Sequence, residues 1–435
     1  MKKSIYGIKF SSEFWRYFSN TYWMILEKIS KVFLGFLVIM YVTRYLGPNN
    51  FGILAYFEGV LAIAVAISSL GLANGGPFMK QVLNPKEDIS KVVGTSSIIL
   101  VASSLISIFL IFALVFLEII DPANSELILI MSSIILLQNL NMIFIDLFQS
   151  NARYKEVFTA SIIAFLISSS FKVAFVFYEL DIFYFALSFV LDNLFLTIFL
   201  YIKIIKLDIK ISDLYFDKFF AIKILKTCTP LVIVAGSAIL QSRIDQLMLK
   251  HLASNFELGN YSATMRVTDI AYMFIGIIAT SLYSKLINTN DNQEKFSHLV
   301  IVLMRITFLV SFAIFLTFFF LGDFITSIIF GDEFSLAGEL LSILAFGILI
   351  NFPSAVYTKL LYVKNLEKKF MYIVISGFAI NTLLNYILIP TYGANGAAYA
   401  TITTFFIINF IVDLFSKDLR ALYILKIRSL NIFHL

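Results

Sequence analysis

At 435 residues, 60% hydrophobic and 14% charged, the chain has a mean hydropathy of +0.90, far from a soluble domain, which is nearer half apolar and about a quarter charged. A net charge of +5 without a polar folded domain to carry a basic face excludes a nucleic-acid binder. The lone Cys228 excludes an internal disulfide, and His251, His298 and His434 are too far apart for a metal-ligand set, so no metal or cofactor is expected.

A helix needs ~20 apolar residues to cross a ~30 Å hydrocarbon layer. Apolar windows of that length fall at 22–44, 51–73, 92–117, 127–148, 157–178 and 182–202. The first follows Met1-Lys2-Lys3 with no small-residue cleavage site, so it reads as a retained span. A polar connector, 203–220, carries Lys203, Lys206, Lys210 and Lys218 against Asp208, Asp213 and Asp217. Windows resume at 221–249, 261–287, 299–321, 335–358, 370–389 and 393–416. The expected fold is therefore all-α and integral to the membrane, with about twelve transmembrane helices. They form two six-helix bundles, 1–202 and 221–416, joined by a cytoplasmic linker at 203–220. In 417–435, Lys417, Arg420, Lys426 and Arg428 stand among Leu, Ile and Phe, which predicts an amphipathic cytoplasmic tail lying at the interface.

Lysine and arginine in short loops set orientation. With the N-terminus inside, the segments 1–20, 74–91, 149–156, 203–226, 285–298, 359–369 and 417–435 hold 25 of the 33 basic residues. The outside connectors 118–126, 178–181, 322–333 and 390–393 hold none, while three of them carry acids such as Glu118, Asp121 and Glu179. One helix more or fewer destroys this alternation, so both termini are placed in the cytoplasm. The halves also echo each other: Asn50-Phe51 and Tyr56 after the first span match Asn255-Phe256 and Tyr261 after the seventh. A duplicated six-helix unit points to a transporter with a central cavity.

Charges inside the predicted spans are the candidate site. Lys28, Lys31, Lys172, Arg243, Arg266 and Arg305 would each cost roughly 2.5–3.5 kcal/mol at a lipid-facing helix centre. They therefore face water, an anion or internal carboxylates. Lys172 has no acid one turn away, so an unpaired cavity cation is the better reading, with Asp146 or Asp192 as its available partners. The spacing pairs Glu27 with Lys31 and Arg266 with Asp269, and sets Arg243 beside Asp245. Lys28 and Arg305 are near enough to the cytoplasmic ends to snorkel. The substrate-binding set is thus Lys172, Arg305, Arg266, Lys28 and Lys31, suited to phosphate oxygens. Glu58, Asp146, Asp192 and Asp269 are candidates for ion coupling or charge pairing. Pro230 and Pro353 free a backbone carbonyl each and are candidate hinges, although a static kink is the commoner case. No nucleophile elbow, phosphate-cradling loop or paired-histidine motif is present, so no catalytic residue is assigned and the chain reads as a transporter, not an enzyme.

The segment Arg44-Tyr-Leu-Gly-Pro-Asn-Asn-Phe-Gly-Ile-Leu-Ala-Tyr56 resembles the signature after the first helix of the polysaccharide-repeat-unit flippases. So do Ser68-Ser-Leu-Gly-Leu72, Gly259-Asn-Tyr261, and Asn381 and Asn385 followed by Pro390-Thr-Tyr-Gly-Ala-Asn-Gly-Ala-Ala-Tyr-Ala-Thr401. The chain is similar to the Wzx type, the polysaccharide branch of the superfamily that also holds multidrug exporters and the lipid II flippase. The resemblance implies twelve helices in the bacterial cytoplasmic membrane. It also implies translocation of undecaprenyl-diphosphate-linked oligosaccharide for O-antigen or capsule, by alternating access around a cationic cavity. Polymerase and chain-length proteins of the pathway are its expected partners. Two rivals remain: a multidrug or small-molecule antiporter, which leans on internal carboxylates, and a membrane polymerase or ligase, which needs a large outside loop that these short connectors do not supply.

Overall fold

In the computed structural model the described residues are 4–5, 8–9, 12–72, 76–120, 124–204, 213–281, 283–289, 292–364 and 366–430. Lys2, Lys3, Asp121, the linker positions Lys206, Asp208 and Lys210, and His434 lie outside them. Among the described residues the regular structure is helical apart from a short antiparallel pair (Ser4–Ile5 with Ile8–Lys9). The helices of its first part are α1 (Ser12–Ser68), α2 (Pro77–Val82), α3 (Ile89–Phe116), α4 (Ser125–Met131), α5 (Ser133–Ser150), α6 (Tyr154–Phe177) and α7 (Ile182–Ile204). There follow α8 (Lys218–Leu252), α9 (Asn255–Ser281), α10 (Tyr283–Thr289), α11 (Gln293–Phe330), α12 (Ala337–Ile350), α13 (Ser354–Val363), α14 (Glu367–Phe406) and α15 (Lys417–Leu430).

Among the described residues nine helical stretches are long and apolar enough to cross a membrane. Two of them, Phe18–Ser68 and Lys368–Phe415, are long enough to cross twice. Their backbones turn at Gly47 (φ 67°) and Gly393 (φ 57°), left-handed values that glycine alone adopts without a steric cost. Counting both halves of each gives eleven crossings among the described residues, close to the roughly twelve that hydropathy predicts, and α8 (Lys218–Leu252), which is not one of the nine, covers the remaining window at 221–249. The protein is an all-α, multi-pass membrane protein. Phe109, Phe116, Phe177 and Phe320 stand more than two-thirds exposed on their helices, as lipid-facing side chains do.

The chain divides into two compact units. The N-terminal unit comprises Met1–Tyr45 and Val60–Gly236; the C-terminal unit comprises Leu46–Gly59 and Ser237–Leu435. The boundary differs from the expected linker in two ways. It falls inside α8, and the segment 46–59 groups with the second unit although chain order puts it in the first half. At 45/46 the division lies beside the backbone turn at Gly47, whereas at 59/60 and 236/237 it falls inside continuous helix, where the hydrogen bonding of the helix runs on from one packed core to the other.

In the N-terminal unit α5 is central, packing on α2, α3, α6 and α7. Its core gathers Leu100, Ile143, Leu147, Phe148, Val157 and Leu200, with Cys228 buried as an inert thiol. The loop before α3 is fastened by Glu87, which pairs with Lys91 at 2.6 Å and Lys223 at 3.1 Å. Those contacts, that with Lys91 first, hold the Glu87 carboxyl below its usual value. In the C-terminal unit α12 is central, touching α9, α11 and α14. Pro353 sits at the break between α12 and α13, whereas α8 runs on through Pro230.

Candidate functional site

Each unit carries its own buried charges. In the N-terminal unit the expectation that Lys172 has no partner is corrected: its Nζ lies 2.5 Å from Asp192 Oδ2. Ser168 donates to the other carboxylate oxygen, and the Phe189 ring lies 5.1 Å from the ammonium. The two residues sit on α6 and α7, twenty positions apart, so no one-turn spacing could reveal the pair. Glu27 does hold Lys31, at 2.8 Å, and the Tyr154 hydroxyl donates to the same carboxylate at 3.4 Å. Asp146 is buried and close enough to Tyr154 to act on it electrostatically. Lys28 is exposed and joins neither group.

In the C-terminal unit Arg266 Nη2 pairs with Glu58 at 2.6 Å, not with Asp269 one turn on, and its guanidinium lies 5.4 Å from the Phe51 ring. Glu58 and Phe51 belong to the segment 46–59, which is fastened to α9 by backbone. A Cβ on Gly52 would lie 2.1 Å from the Asn255 oxygen, and one on Gly259 would lie 1.8 Å from the Pro48 oxygen. The repeated Asn-Phe segments thus cross each other at two glycines. Tyr56 adds a contact to His251, with Oη 3.3 Å from Nε2.

The C-terminal unit also holds a chamber of about 290 Å³ lined by Gln241, Arg243, Asp245, Asp269, Asn351 and Asn381 among others. Arg243 and Arg266 both act on Asp269, and Arg243 donates to Gln246 at 3.3 Å. Arg305, half-buried on α11, is not among the lining residues. Asp245 forms the chamber's polar hub. Its carboxylate accepts from Asn385 Nδ2 at 2.5 Å, Tyr261 Oη at 2.7 Å and Thr401 Oγ1 at 2.9 Å. Asp245 is 7% exposed, Asn385 is fully buried, and the Asn385 Oδ1 has no hydrogen-bond donor.

The chemistry of this hub follows from its donors. Among the described residues every group bonded to Asp245 is neutral. A buried carboxylate with no counter-charge costs several kcal/mol. A proton or a monovalent cation removes that cost, and the amide oxygens of Asn385 and Asn381 are hard ligands of the kind such a cation takes. The chamber is at the small end for organic ligands. It fits an ion with its waters or a phosphate-sized group, not an oligosaccharide on its lipid. In the sequence Asp245 stands out only as a neighbour of Arg243. The available signal was the pair Asn381 and Asn385, two amides on one face of an apolar helix, together with Tyr261 and Thr401 in the quoted segments.

A family profile described as polysaccharide biosynthesis protein matches residues 41–339. No curated protein matches the chain. Among solved structures, it is similar to a multidrug-resistance MATE transporter of the MOP superfamily in an inward-facing conformation. That likeness has a TM-score of 0.68 and 14% identity, covering 91% of this chain and 94% of the other. It is also similar to the lipid II flippase MurJ in an inward closed conformation, at a TM-score of 0.66 and 17% identity, covering 93% and 91%. A MOP-superfamily transporter from Pyrococcus furiosus matches at a TM-score of 0.53 and 13% identity, over 95% and 94%. At these identities the likeness is one of fold.

Proposed function

We propose, for a chain that belongs to the polysaccharide biosynthesis protein family, that it is a flippase for lipid-linked oligosaccharide. In this reading it moves undecaprenyl-diphosphate-linked repeat units across the bacterial cytoplasmic membrane by alternating access. It serves surface-polysaccharide assembly, O-antigen or capsule, with the polymerase and chain-length proteins of the pathway as partners.

The observation that carries this reading is the match of residues 41–339 to the polysaccharide biosynthesis profile, and the polar chamber, with a guanidinium and two carboxylates on its wall, offers a place for a phosphate group. Arg243 is the cation best placed there to meet a phosphate, because a guanidinium replaces lost hydration of phosphate oxygens through fixed, forked donors. Lys172 and Lys31 already carry local counter-charges, so their contact with an anion requires exchange of partners. Asp245 supplies the coupling step: a proton or alkali cation bound there neutralises the buried carboxylate and loosens the charge-assisted bonds from its ring of donors, and release reverses this. The state that binds the ion is thereby favoured by the ion's differential affinity.

The test is depletion of the protein in its host. Lipid-linked repeat units should accumulate with their sugars accessible only from the cytoplasmic face, and surface polysaccharide should fall. Unchanged export at complete depletion sinks the reading. An antiporter of small cations is the second reading, favoured by the excess of carboxylates over cations on the chamber wall. It predicts cation-driven efflux of organic cations from vesicles and no build-up of lipid-linked sugar.

A further inference from the structure

The helix α15 is held in one orientation by a bond set that its amphipathic sequence does not reveal. Lys426 is fully buried. Its Nζ pairs with Asp413 Oδ2 at 2.6 Å, donates to the Asn409 carbonyl at 2.9 Å, and lies 3.4 Å from the centre of the Tyr357 ring. Tyr357 donates to the same carboxylate at 2.5 Å. The Asn409 carbonyl is available because the chain widens into a π-helix over Ile407–Ile411, then tightens into a 3-10 turn over Val412–Phe415. A buried ion pair survives only when its remaining donors and acceptors are satisfied, and here they are. Leu419, Leu422 and Leu425 are buried alongside Lys426, so this face of α15 is closed.

What the bolt leaves outside is a second stripe. Arg420, Ile424, Ile427 and Arg428 recur at helical spacing on one face, with Ile424 50% and Ile427 42% exposed. A face turned to cytosol would be polar. This one sets apolar side chains between guanidiniums, the composition of a helix lying in a headgroup layer. The helix α15 begins two residues after Phe415, which closes the last span and is 84% exposed. The two charges named on that stripe, Arg420 and Arg428, are of one sign. Zwitterionic headgroups offer no net field to such a pair; anionic ones do.

We propose that α15 is an anionic-lipid-binding surface. Arg420 and Arg428 take lipid phosphates of the cytoplasmic leaflet, Ile424 and Ile427 enter the acyl boundary, and Lys426 is the positioning residue that turns this face to the bilayer. The surface does not depend on what the protein transports.

The full chain, reconstituted in phosphatidylcholine vesicles with or without phosphatidylglycerol, is followed by amide hydrogen exchange. Residues 417–430 should exchange more slowly when phosphatidylglycerol is present. Each basic side chain near an anionic surface contributes roughly fivefold to binding, so Arg420→Gln with Arg428→Gln should cut the added protection about thirtyfold. Arg420 Nε also donates to the Leu414 carbonyl, so Arg428→Gln alone is the cleaner variant, with a loss of about fivefold. High salt should erase the difference in the parent protein. Equal exchange in the two vesicle types, or a double variant as well protected as the parent, overturns the assignment.

Discussion

Replacing Gly259 by alanine tests the crossing between the segment 46–59 and α9. The added Cβ would lie 1.8 Å from the Pro48 carbonyl oxygen and 2.7 Å from its carbon, both backbone atoms that cannot rotate away. Ordinary contact begins near 3.4 Å, so the two segments must separate by about 1.5 Å. Overpacking of this kind costs about 1–3 kcal/mol, and a clash with backbone belongs at the upper end. Alanine returns about 1 kcal/mol through helix propensity, leaving a net loss of about 2 kcal/mol. Thermal unfolding of the purified protein should show a melting temperature lower by about a few degrees. Gly276, in the same helix, is the control: a Cβ there would meet nothing within 4 Å, and Gly276→Ala should hold or raise stability. Gly52→Ala forces apart the same two segments, so adding it to Gly259→Ala should cost less than the sum of the single changes. An unshifted melting temperature for Gly259→Ala, or strictly additive costs, refutes the close crossing.

Four further outcomes follow. If Asp245 binds an alkali cation, sodium in place of choline should raise the melting temperature of the parent, by about 2.7 kcal/mol of stabilisation at a hundredfold excess over Kd, and Asp245→Asn should abolish the rise. Lys172→Ala should destabilise the N-terminal unit because it strands a half-buried Asp192, whereas Lys172→Ala with Asp192→Ala should recover the fold. Export measured in that double variant then separates an anion-binding role from a structural one: normal export removes Lys172 from the site. Because the Glu87 carboxyl is held low, its contribution is present above the unfolded value and lost as pH falls through the folded one. Glu87→Gln should therefore flatten the acid side of a melting-temperature profile. Finally, in a Cys228→Ser background, a cysteine at the exposed Glu179 should be labelled from outside the cell and one at the exposed Lys368 should not. The reverse pattern overturns the orientation read from loop charge.

Much of the fold is legible in the sequence because a bilayer imposes simple rules. Every backbone group must be satisfied within its own helix, so crossing length alone locates the spans. The predicted windows and the helices agree at each of the twelve positions, including the two pairs that run on through Gly47 and Gly393. The tail is legible as a helix, Lys417–Leu430, but not in its facing: Arg420 and Arg428 are exposed, whereas Lys426 is buried against Asp413. Spacing could also pair Glu27 with Lys31, since both lie on one helix face.

Pairings between helices were not decided by chain order, which leaves Lys172 with both Asp146 and Asp192 as available partners. Lys172 with Asp192, Arg266 with Glu58, and Lys426 with Asp413 join residues that local periodicity does not connect. The ring around Asp245 draws on α8, α9 and α14, so its donors come together only when those helices pack. The sequence by itself determined an all-α membrane chain, its count of crossings and the inventory of charges within them, because the cost of placing each group in hydrocarbon is a local quantity. Only the tertiary structure decided which charges neutralise one another and which carboxylate is left among neutral donors, because those energies depend on distances between helices far apart in the chain.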